Sequence, residues 1–141
     1  MDYIKGNLFE APMEYALAHC ISADVQMGAG IALQFAQKYP DMKRNILSRN
    51  PQVGGVYDYT APDGRRIYNL VTKPRYFHKP TYHTLGCSID SMSVLMKLSD
   101  DLNLAIPKLG CGLDRLSWDK VSHIIQEYVI EFGIDVQVYE L

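Results

Sequence analysis

The sequence predicts an α/β protein whose helices pack on a mixed, largely parallel sheet. Short β-like segments alternate along the chain with segments in which apolar residues recur at helical spacing, and this order is typical of such folds. At two places a glycine-rich loop stands between a predicted strand and a predicted helix. The 141 residues fit one ordinary domain, residues 1–141, with no internal repeat, linker or low-complexity stretch.

The first half of the chain contains four predicted strands and two predicted helices. Gly6-Asn7 interrupts the first strand, and Pro40 ends a helix whose apolar residues at 31, 32, 35, 36 and 39 share one face. Asp63-Gly64 is a turn signal between two further strands. The predicted strands cover residues 3–6, 15–21, about 55–59 and 66–72, and the predicted helices cover residues 31–39 and about 41–48.

The second half begins with a long helix that Pro80-Thr81 introduces. Apolar residues recur along it at Leu85, Ile89, Met92 and Met96, as one buried helical face requires. Ser117 is a suitable N-cap for the last helix. The predicted helices cover residues 82–98 and 118–131, and the predicted strands cover residues 102–106 and 134–139.

The charge and the cysteine content argue against several classes of protein. A formal net charge of -2 disfavours a strongly electropositive surface for duplex nucleic acid, although it leaves room for a nucleic acid that carries the reacting group. Three cysteines without a CxxC pair favour neither a metal site nor a disulfide framework. The N-terminus lacks a secretory pattern, and no apolar run approaches the roughly 18 residues that span a bilayer. We expect a cytoplasmic protein without a membrane partner, and a monomer.

Two glycine loops are predicted at the carboxyl ends of strands, where open α/β sheets bind their ligands. Gly28-Ala29-Gly30 precedes a helix, and Gly110-Cys111-Gly112 follows a buried strand. The free N–H groups and the dipole at a helix start favour an anion. One such loop is more often an ordinary tight turn, but two at one sheet edge indicate a ligand with two phosphates. Cys111 is expected to contribute its main-chain N–H rather than its thiol.

Two familiar nucleotide-binding motifs do not occur in the sequence. The first loop lacks the third glycine of the dinucleotide fingerprint, and no Gly-Lys-Ser/Thr sequence supports a P-loop. Simple dehydrogenase and ATPase hypotheses are therefore disfavoured.

Several segments together resemble a macrodomain, and most closely the branch that contains the terminal ADP-ribose protein glycohydrolase. The similarity runs in order over nearly the whole chain, and Leu70-Val71-Thr72-Lys73 with His78-Lys79-Pro80-Thr81-Tyr82 resembles that branch specifically. The other matching segments are Lys5-Gly6-Asn7-Leu8, Ala18-His19-Cys20-Ile21-Ser22, Met27-Gly28-Ala29-Gly30-Ile31-Ala32, the segment from Pro107 to Leu116, and Val138-Tyr139-Glu140-Leu141. The resemblance implies a three-layer α/β/α macrodomain with about six strands and an ADP-ribose pocket.

The resemblance also implies which residues bind the ligand. The family usually has an aspartate near the adenine, where this chain has Asn7, whose amide oxygen can accept a hydrogen bond but carries no charge. Tyr139 either stacks on the adenine or belongs to the core, and the run 75–79 is either a lip over the pocket or a solvated loop. The implied ligand-binding residues are Asn7, Leu8, Ile21, Ser22, Met27, Gly28, Ala29, Gly30, Ile31, Thr72, Leu109, Gly110, Cys111, Gly112, Leu113 and Tyr139.

Lys73 and Asp114 match the positions of the two catalytic residues of that branch. In the resembled mechanism, the lysine amine attacks the anomeric carbon of the distal ribose and the aspartate assists proton transfer. An amine with an ordinary pKa of about 10.4 must first lose its proton, which requires burial or a nearby positive group such as Arg75. Pro74 stiffens the backbone beside the lysine.

The resemblance does not determine which bond the protein cleaves. The substrates implied by the branch are ADP-ribose esters of glutamate or aspartate and ADP-ribosylated nucleobases, so the partner is an ADP-ribosylated protein or nucleic acid. The alternatives are a phosphatase for ADP-ribose 1''-phosphate and a non-catalytic ADP-ribose reader, and deacetylation of O-acetyl-ADP-ribose could accompany either activity. No metal or redox cofactor is implied.

Overall fold

A computed structural model describes all 141 residues, which form six strands and four α-helices. The strands are β1 (Asp2–Lys5), β2 (Ala16–Ser22), β3 (Val56–Thr60), β4 (Arg66–Lys73), β5 (Asn103–Ile106) and β6 (Asp135–Glu140). The helices are α1 (Gly30–Lys38), α2 (Met42–Leu47), α3 (Tyr82–Leu98) and α4 (Trp118–Ile125). None of these helices combines the length and the hydrophobicity that crossing a lipid bilayer requires.

The strands form one sheet in the order β1-β6-β5-β2-β4-β3. All neighbouring strands are parallel except β3 and β4, which form an antiparallel pair at one edge. Helices cover both faces of this sheet. The predicted architecture, a three-layer α/β/α fold with a mixed, largely parallel sheet of about six strands, is therefore confirmed.

Alternating side chains of the central strands supply two separate cores, as strand geometry requires. Tyr68 and Leu70 of β4 pack under α3 and α4, whereas Ile67 and Val71 of the same strand pack under α1 and α2. The predicted apolar face of α3, with Leu85, Ile89, Met92 and Met96, is fully buried in the first of these cores. Central strands buried on both faces are typical of parallel sheets.

The order of the strands places a crevice between β2 and β5. These neighbouring strands run in the same direction, but β2 leads to α1 on one face and β5 leads to α4 on the other. Their loops must therefore diverge, and such a switch point is where open α/β sheets bind ligands. The carboxyl ends of β4 and β6 lie at the same edge.

The structure differs from the sequence-based expectations in three local features. Leu8–Glu10 forms a 3-10 turn that was not predicted. Ser117 stands at the N-cap as expected, but its hydroxyl makes no capping bond, and its N–H instead donates to the hydroxyl of Tyr82 at 2.9 Å. The last helix is α-helical only to Ile125 and continues as a π-helical turn, Gln126–Ile130. This turn was not predicted, because the spacing of apolar residues does not reveal one extra residue in a turn.

Candidate active site

A cavity of about 1060 Å³ opens at the carboxyl edge of the sheet. The ends of four parallel strands form its floor, and the two glycine loops and the segment after β4 form its walls. Its lining consists of residues 20–22, 26–32, Lys73, Tyr76, Lys79, residues 107–114, Tyr139 and Glu140. A cavity of this size, with apolar walls and a few polar groups, suits a cofactor-sized molecule.

The first glycine loop leaves main-chain donors free at the start of α1. The N-cap residue is Ala29, which has no side chain to cap the helix. The N–H groups of Gly30, Ile31 and Ala32 consequently have no acceptor within the chain. Free donors at a helix N-terminus favour an anion, as predicted from the sequence.

The second glycine loop has a tighter construction than the first. Gly110 adopts a φ of +71°, and a Cβ at this position would lie 2.9 Å from Cδ1 of Leu116. The N–H of Cys111 donates to the carbonyl of Lys108 at 3.1 Å, so it is not among the free donors of this loop. The N–H groups of Gly112, Leu113 and Asp114 have no acceptor within the chain, and they are the free donors of this loop.

Lys73 and Asp114 meet in the cavity. Lys73 is the last residue of β4, and Asp114 lies in the loop after β5. The lysine Nζ donates to Oδ1 of the aspartate at 2.6 Å, and the two side chains are only 14% and 13% exposed. Two residues that are 41 positions apart in the sequence thus form one partly buried acid–base pair.

β4 contains a bulge beside the cavity, opposite the end of β2. The pairing with β4 shifts between Ile21 and Ser22, so that Ser22 aligns with Lys73 instead of Thr72. The N–H of Ala23 then donates to the carbonyl of Lys73 at 2.9 Å. Thr72 is buried beside the lysine, and its hydroxyl has no hydrogen-bond partner.

The predicted site residues line the cavity with three exceptions, Asn7, Leu8 and Thr72. The side-chain oxygen of Asn7 accepts the N–H of Phe9 at 2.9 Å, and it thereby caps the 3-10 turn. Leu8 is buried in the core that also contains Ile21 and Tyr139. Tyr139 belongs to this core and also touches the cavity, so its two predicted roles are compatible.

Several lining residues were not predicted individually. Tyr76 and Lys79 reach the cavity, which means that the run 75–79 forms a lip. At the far end, Lys108 and Glu140 form an ion pair of 3.1 Å between Nζ and Oε2. The remaining unpredicted lining residues are Cys20, Gln26, Ala32 and Pro107, and most of them flank a predicted position in the sequence.

The other potential nucleophiles near the site are held in inactive forms. Burial, with contributions from Asp114 and Cys111, raises the pKa of Cys20 to about 12. Burial also raises the pKa of Cys111. Both cysteines therefore remain thiols at neutral pH, whereas a thiolate is the reactive form. His19 is buried away from the cavity, stacked on Phe35 and hydrogen-bonded to Asn69.

No cluster of three or more His, Cys, Asp or Glu side chains could hold a metal ion. The polar groups of the cavity include the free main-chain donors, the Lys73–Asp114 pair and the Lys108–Glu140 pair. This arrangement can bind an elongated anionic ligand and perform acid–base or amine chemistry at one end of it.

Comparison with known proteins identifies relatives that match nearly the whole of this chain. No protein-family model matches the sequence. The chain is 42% identical over 139 residues to the ADP-ribose glycohydrolase OARD1 of Homo sapiens, covering 99% of this chain and 90% of that protein. It is 30% identical over 146 residues to the DNA ADP-ribosyl glycohydrolase of Thermus aquaticus, where the match spans 98% of this chain and 40% of the longer relative. The solved macrodomain of Thermus aquaticus DarG superposes with a TM-score of 0.88 at 30% identity, over 99% of this chain and 97% of that one.

Proposed function

Because this chain belongs to the macrodomain family, in the branch of the ADP-ribose glycohydrolases, we propose that Lys73 and Asp114 release ADP-ribose from a modified macromolecule. The chain is an ADP-ribose-binding hydrolase, and its relatives are named for removing ADP-ribose, in one case from DNA. The observation that carries the assignment of residues is the contact of 2.6 Å between the amine and the carboxylate inside the cavity.

The strand order supports one orientation of ADP-ribose in the cavity. Tyr139 and Glu140 end β6, Lys73 ends β4, and β5 and β2 lie between them. Three strand spacings place these ends roughly 14 Å apart. The free N–H groups of both glycine loops follow β2 and β5, midway between these two ends, and the diphosphate would lie there. The adenine would then occupy the β6 end, and the distal ribose would face Lys73.

The contact between Lys73 and Asp114 provides a route for the proton that must leave the amine. Transfer of this proton to the carboxylate gives a neutral amine, which attacks the anomeric carbon of the distal ribose. The bond from that carbon to the leaving oxygen or nitrogen breaks, and the leaving group takes the electron pair. Water then adds to the same carbon, the bond to Nζ breaks, and free ADP-ribose and the lysine are restored. Asp114 returns the proton during these steps.

The proposed substrates are ADP-ribose esters of glutamate or aspartate and ADP-ribosylated nucleobases. In both classes the cleaved bond joins the anomeric carbon to a group that can leave with an electron pair. A panel of ADP-ribosylated glutamate, serine, arginine, thymidine and guanosine, with ADP-ribose 1''-phosphate beside it, would identify the linkage. Release of phosphate without release of ADP-ribose from any macromolecular conjugate would contradict the proposal and favour the phosphatase.

Lys73→Ala tests the role of the amine directly. We expect this variant to lose at least about 100-fold in turnover, since it removes the nucleophile. The ribose ring of the adduct can open by breaking the bond from the anomeric carbon to the ring oxygen, which gives a lysyl imine. Borohydride should reduce this imine and so link ADP-ribose covalently to the wild type, and it should leave the variant unmodified. Lys97→Ala is the matched control, because Lys97 is an exposed lysine at the end of α3, at the opposite edge of the sheet. Full turnover by Lys73→Ala would disprove the lysine mechanism, while loss of the adduct in Lys97→Ala would show that trapping is not specific.

We further propose that the protein acts as a monomer in the cytoplasm and without a membrane partner. The residues of one chain complete the cavity, and the proposed reaction therefore needs no second copy, which supports a monomer. The three free cysteines are compatible with a reducing compartment. Light scattering of the purified protein and imaging of a tagged chain would test these points.

A further inference from the structure

We propose that Asp24 is a positioning residue, which holds the lip so that Lys73 stays aimed at the distal ribose. The lip is the run 75–79, which begins two residues after the lysine. This inference rests on the proposed function, because it concerns the same reaction. Asp24 does not line the cavity, so its action must pass through the segments that it contacts.

The carboxylate of Asp24 joins the end of β2 to the lip. Its Oδ1 accepts the hydroxyl of Ser22, and its Oδ2 accepts the N–H of Tyr76 at 3.2 Å. The preceding residue, Ala23, donates its N–H to the carbonyl of Lys73 at 2.9 Å. Two consecutive residues after β2 thus bind the chain on both sides of Pro74 and Arg75.

The turn that presents Asp24 is itself under constraint. Val25 has a φ of +52°, which is unfavourable for a β-branched residue, and it is fully buried. Its N–H donates to the carbonyl of Ser22 at 3.0 Å. Backbone strain of this kind persists only where surrounding contacts impose it. The position of the Asp24 carboxylate is therefore fixed by its own loop rather than by the lip.

The lip is also attached to the second glycine loop. The Nζ of Lys79 donates to the carbonyl of Leu113, the residue before Asp114, at 2.9 Å. Asp24 holds the end of the lip that is near the lysine, and Lys79 holds the end that is near the aspartate. The lip therefore connects the segment after β2, which binds the carbonyl of Lys73, to the loop that carries Asp114.

The charge of Asp24 suits this role. Burial alone would raise the pKa of its carboxyl, but hydrogen bonds from Ser22 and the main chain, together with the nearby Arg75, leave the pKa below its usual value. A carboxylate accepts stronger hydrogen bonds than a neutral amide or acid does. Loss of the carboxylate would release the N–H groups of Tyr76 and Gln26, whereas the free N–H groups of Gly30, Ile31 and Ala32 make no contact with it.

The expected effect is on the chemical step and not on ligand affinity. A displacement of about 1 Å of a reacting group can slow an enzymatic step by about 100-fold. For Asp24→Ala we expect the rate of lysyl adduct formation, measured by borohydride trapping in a single turnover, to fall by about 10-fold to 100-fold. The Kd of free ADP-ribose, measured by calorimetry, should change by less than about threefold.

Asp24→Asn and Asp90→Ala complete the experiment. The amide oxygen of Asp24→Asn can still accept the N–H of Tyr76, so this variant should keep much of the wild-type rate of adduct formation. If Asp24→Ala does not fold, the rate of Asp24→Asn takes its place in the comparison with the wild type. Asp90 is exposed on α3, and its replacement should leave both quantities unchanged.

Two results would overturn the inference. The first is a wild-type rate in Asp24→Ala, and the second is a Kd that rises in parallel with the loss of rate, since that would indicate a damaged cavity. Failure of the wild type to form any adduct would instead disprove the lysine mechanism itself, together with the role proposed for Asp24.

Discussion

At the scale of single residues, the environment of each side chain decides which group in the site can react. Cys20 and Lys73 both line the cavity, but burial keeps the thiol protonated, with its pKa raised to about 12. The amine instead contacts a carboxylate that can accept its proton. A cysteine at the floor of a pocket is therefore a structural residue here, and the lysine at the end of β4 is the nucleophile we propose.

His19 is a second residue whose environment has a measurable consequence. It is fully buried, and this burial lowers its pKa from 6.5 to about 4, even though the hydrogen bond with Asn69 opposes the shift. Between these two values only the unfolded chain takes up the proton, so the free energy of unfolding falls as the pH falls from 6.5 towards 4. Above pH 6.5 the imidazole is neutral in both states, and no stability is lost.

We therefore predict that the free energy of unfolding decreases by about 2 kcal/mol between pH 7.5 and pH 5 through His19 alone. Urea titrations at the two pH values would measure this change. His19→Gln keeps an amide donor for Asn69 but has no titratable group, so its stability should depend much less on pH in this range. An equal pH dependence in the variant and the wild type would show that other groups are responsible.

At the scale of elements, the two glycines of each loop have different tasks. Gly30 and Gly110 have φ values of +57° and +71°, a region that favours glycine. Gly28 and Gly112 have no such φ, and a Cβ on either would meet no atom within 4 Å. The first pair shapes the loops, and the second pair keeps space open in the cavity for a ligand.

Gly110→Ala and Gly112→Ala form a matched pair that tests this division. We expect Gly110→Ala to lose about 1–2 kcal/mol of stability, because its backbone is left-handed and its Cβ would crowd Leu116. Gly112→Ala should keep its stability but bind ADP-ribose about tenfold more weakly, because the methyl group occupies ligand space. Thermal unfolding and calorimetry would separate the two effects. Equal losses of stability in both variants would contradict this assignment.

Local sequence signals predicted those elements whose determinants are close together in the chain. The structure gives α3 the predicted bounds, since Thr81 forms a capping box with Thr84 and the buried apolar face continues to Met96. Both glycine loops were predictable, because their turn chemistry and the strand before each of them are local features. The resemblance to a family supplied Lys73 and Asp114, which no local pattern distinguishes from ordinary surface residues.

Features that depend on the pairing of distant strands were not predictable. Thr72 was expected in the site, but it is the extra residue of a bulge in β4, which shifts the register against β2 by one residue, and it does not line the cavity. One local feature was missed as well: Asn7, which was expected near the adenine, caps a 3-10 turn that has no strong sequence signal. The link between Asp24 and Tyr76 joins residues 52 positions apart, and only the folded chain brings them together.

At the scale of the whole molecule, one buried arginine links the N-terminal segment to the β3–β4 hairpin. Arg65 precedes β4 and is only 3% exposed. Its guanidinium donates to the main-chain carbonyls of Ala11, Pro12 and Tyr15 at 2.7–2.9 Å. A planar group with several fixed donors can hold several carbonyls at once, whereas an ammonium group cannot reproduce this geometry. The segment between β1 and β2 therefore depends on Arg65 for its path across the molecule.

We predict that Arg65→Lys lowers the free energy of unfolding by about 3 kcal/mol, because about two hydrogen bonds to a charged group are lost at a buried position. Urea unfolding followed by circular dichroism would measure this loss. Arg44→Lys is the control, since Arg44 forms only an exposed ion pair with Asp41 and its replacement should change stability by less than about 0.5 kcal/mol. If both variants unfolded at the wild-type urea concentration, the N-terminal segment would be held by its apolar contacts, and the guanidinium would contribute nothing measurable to the fold.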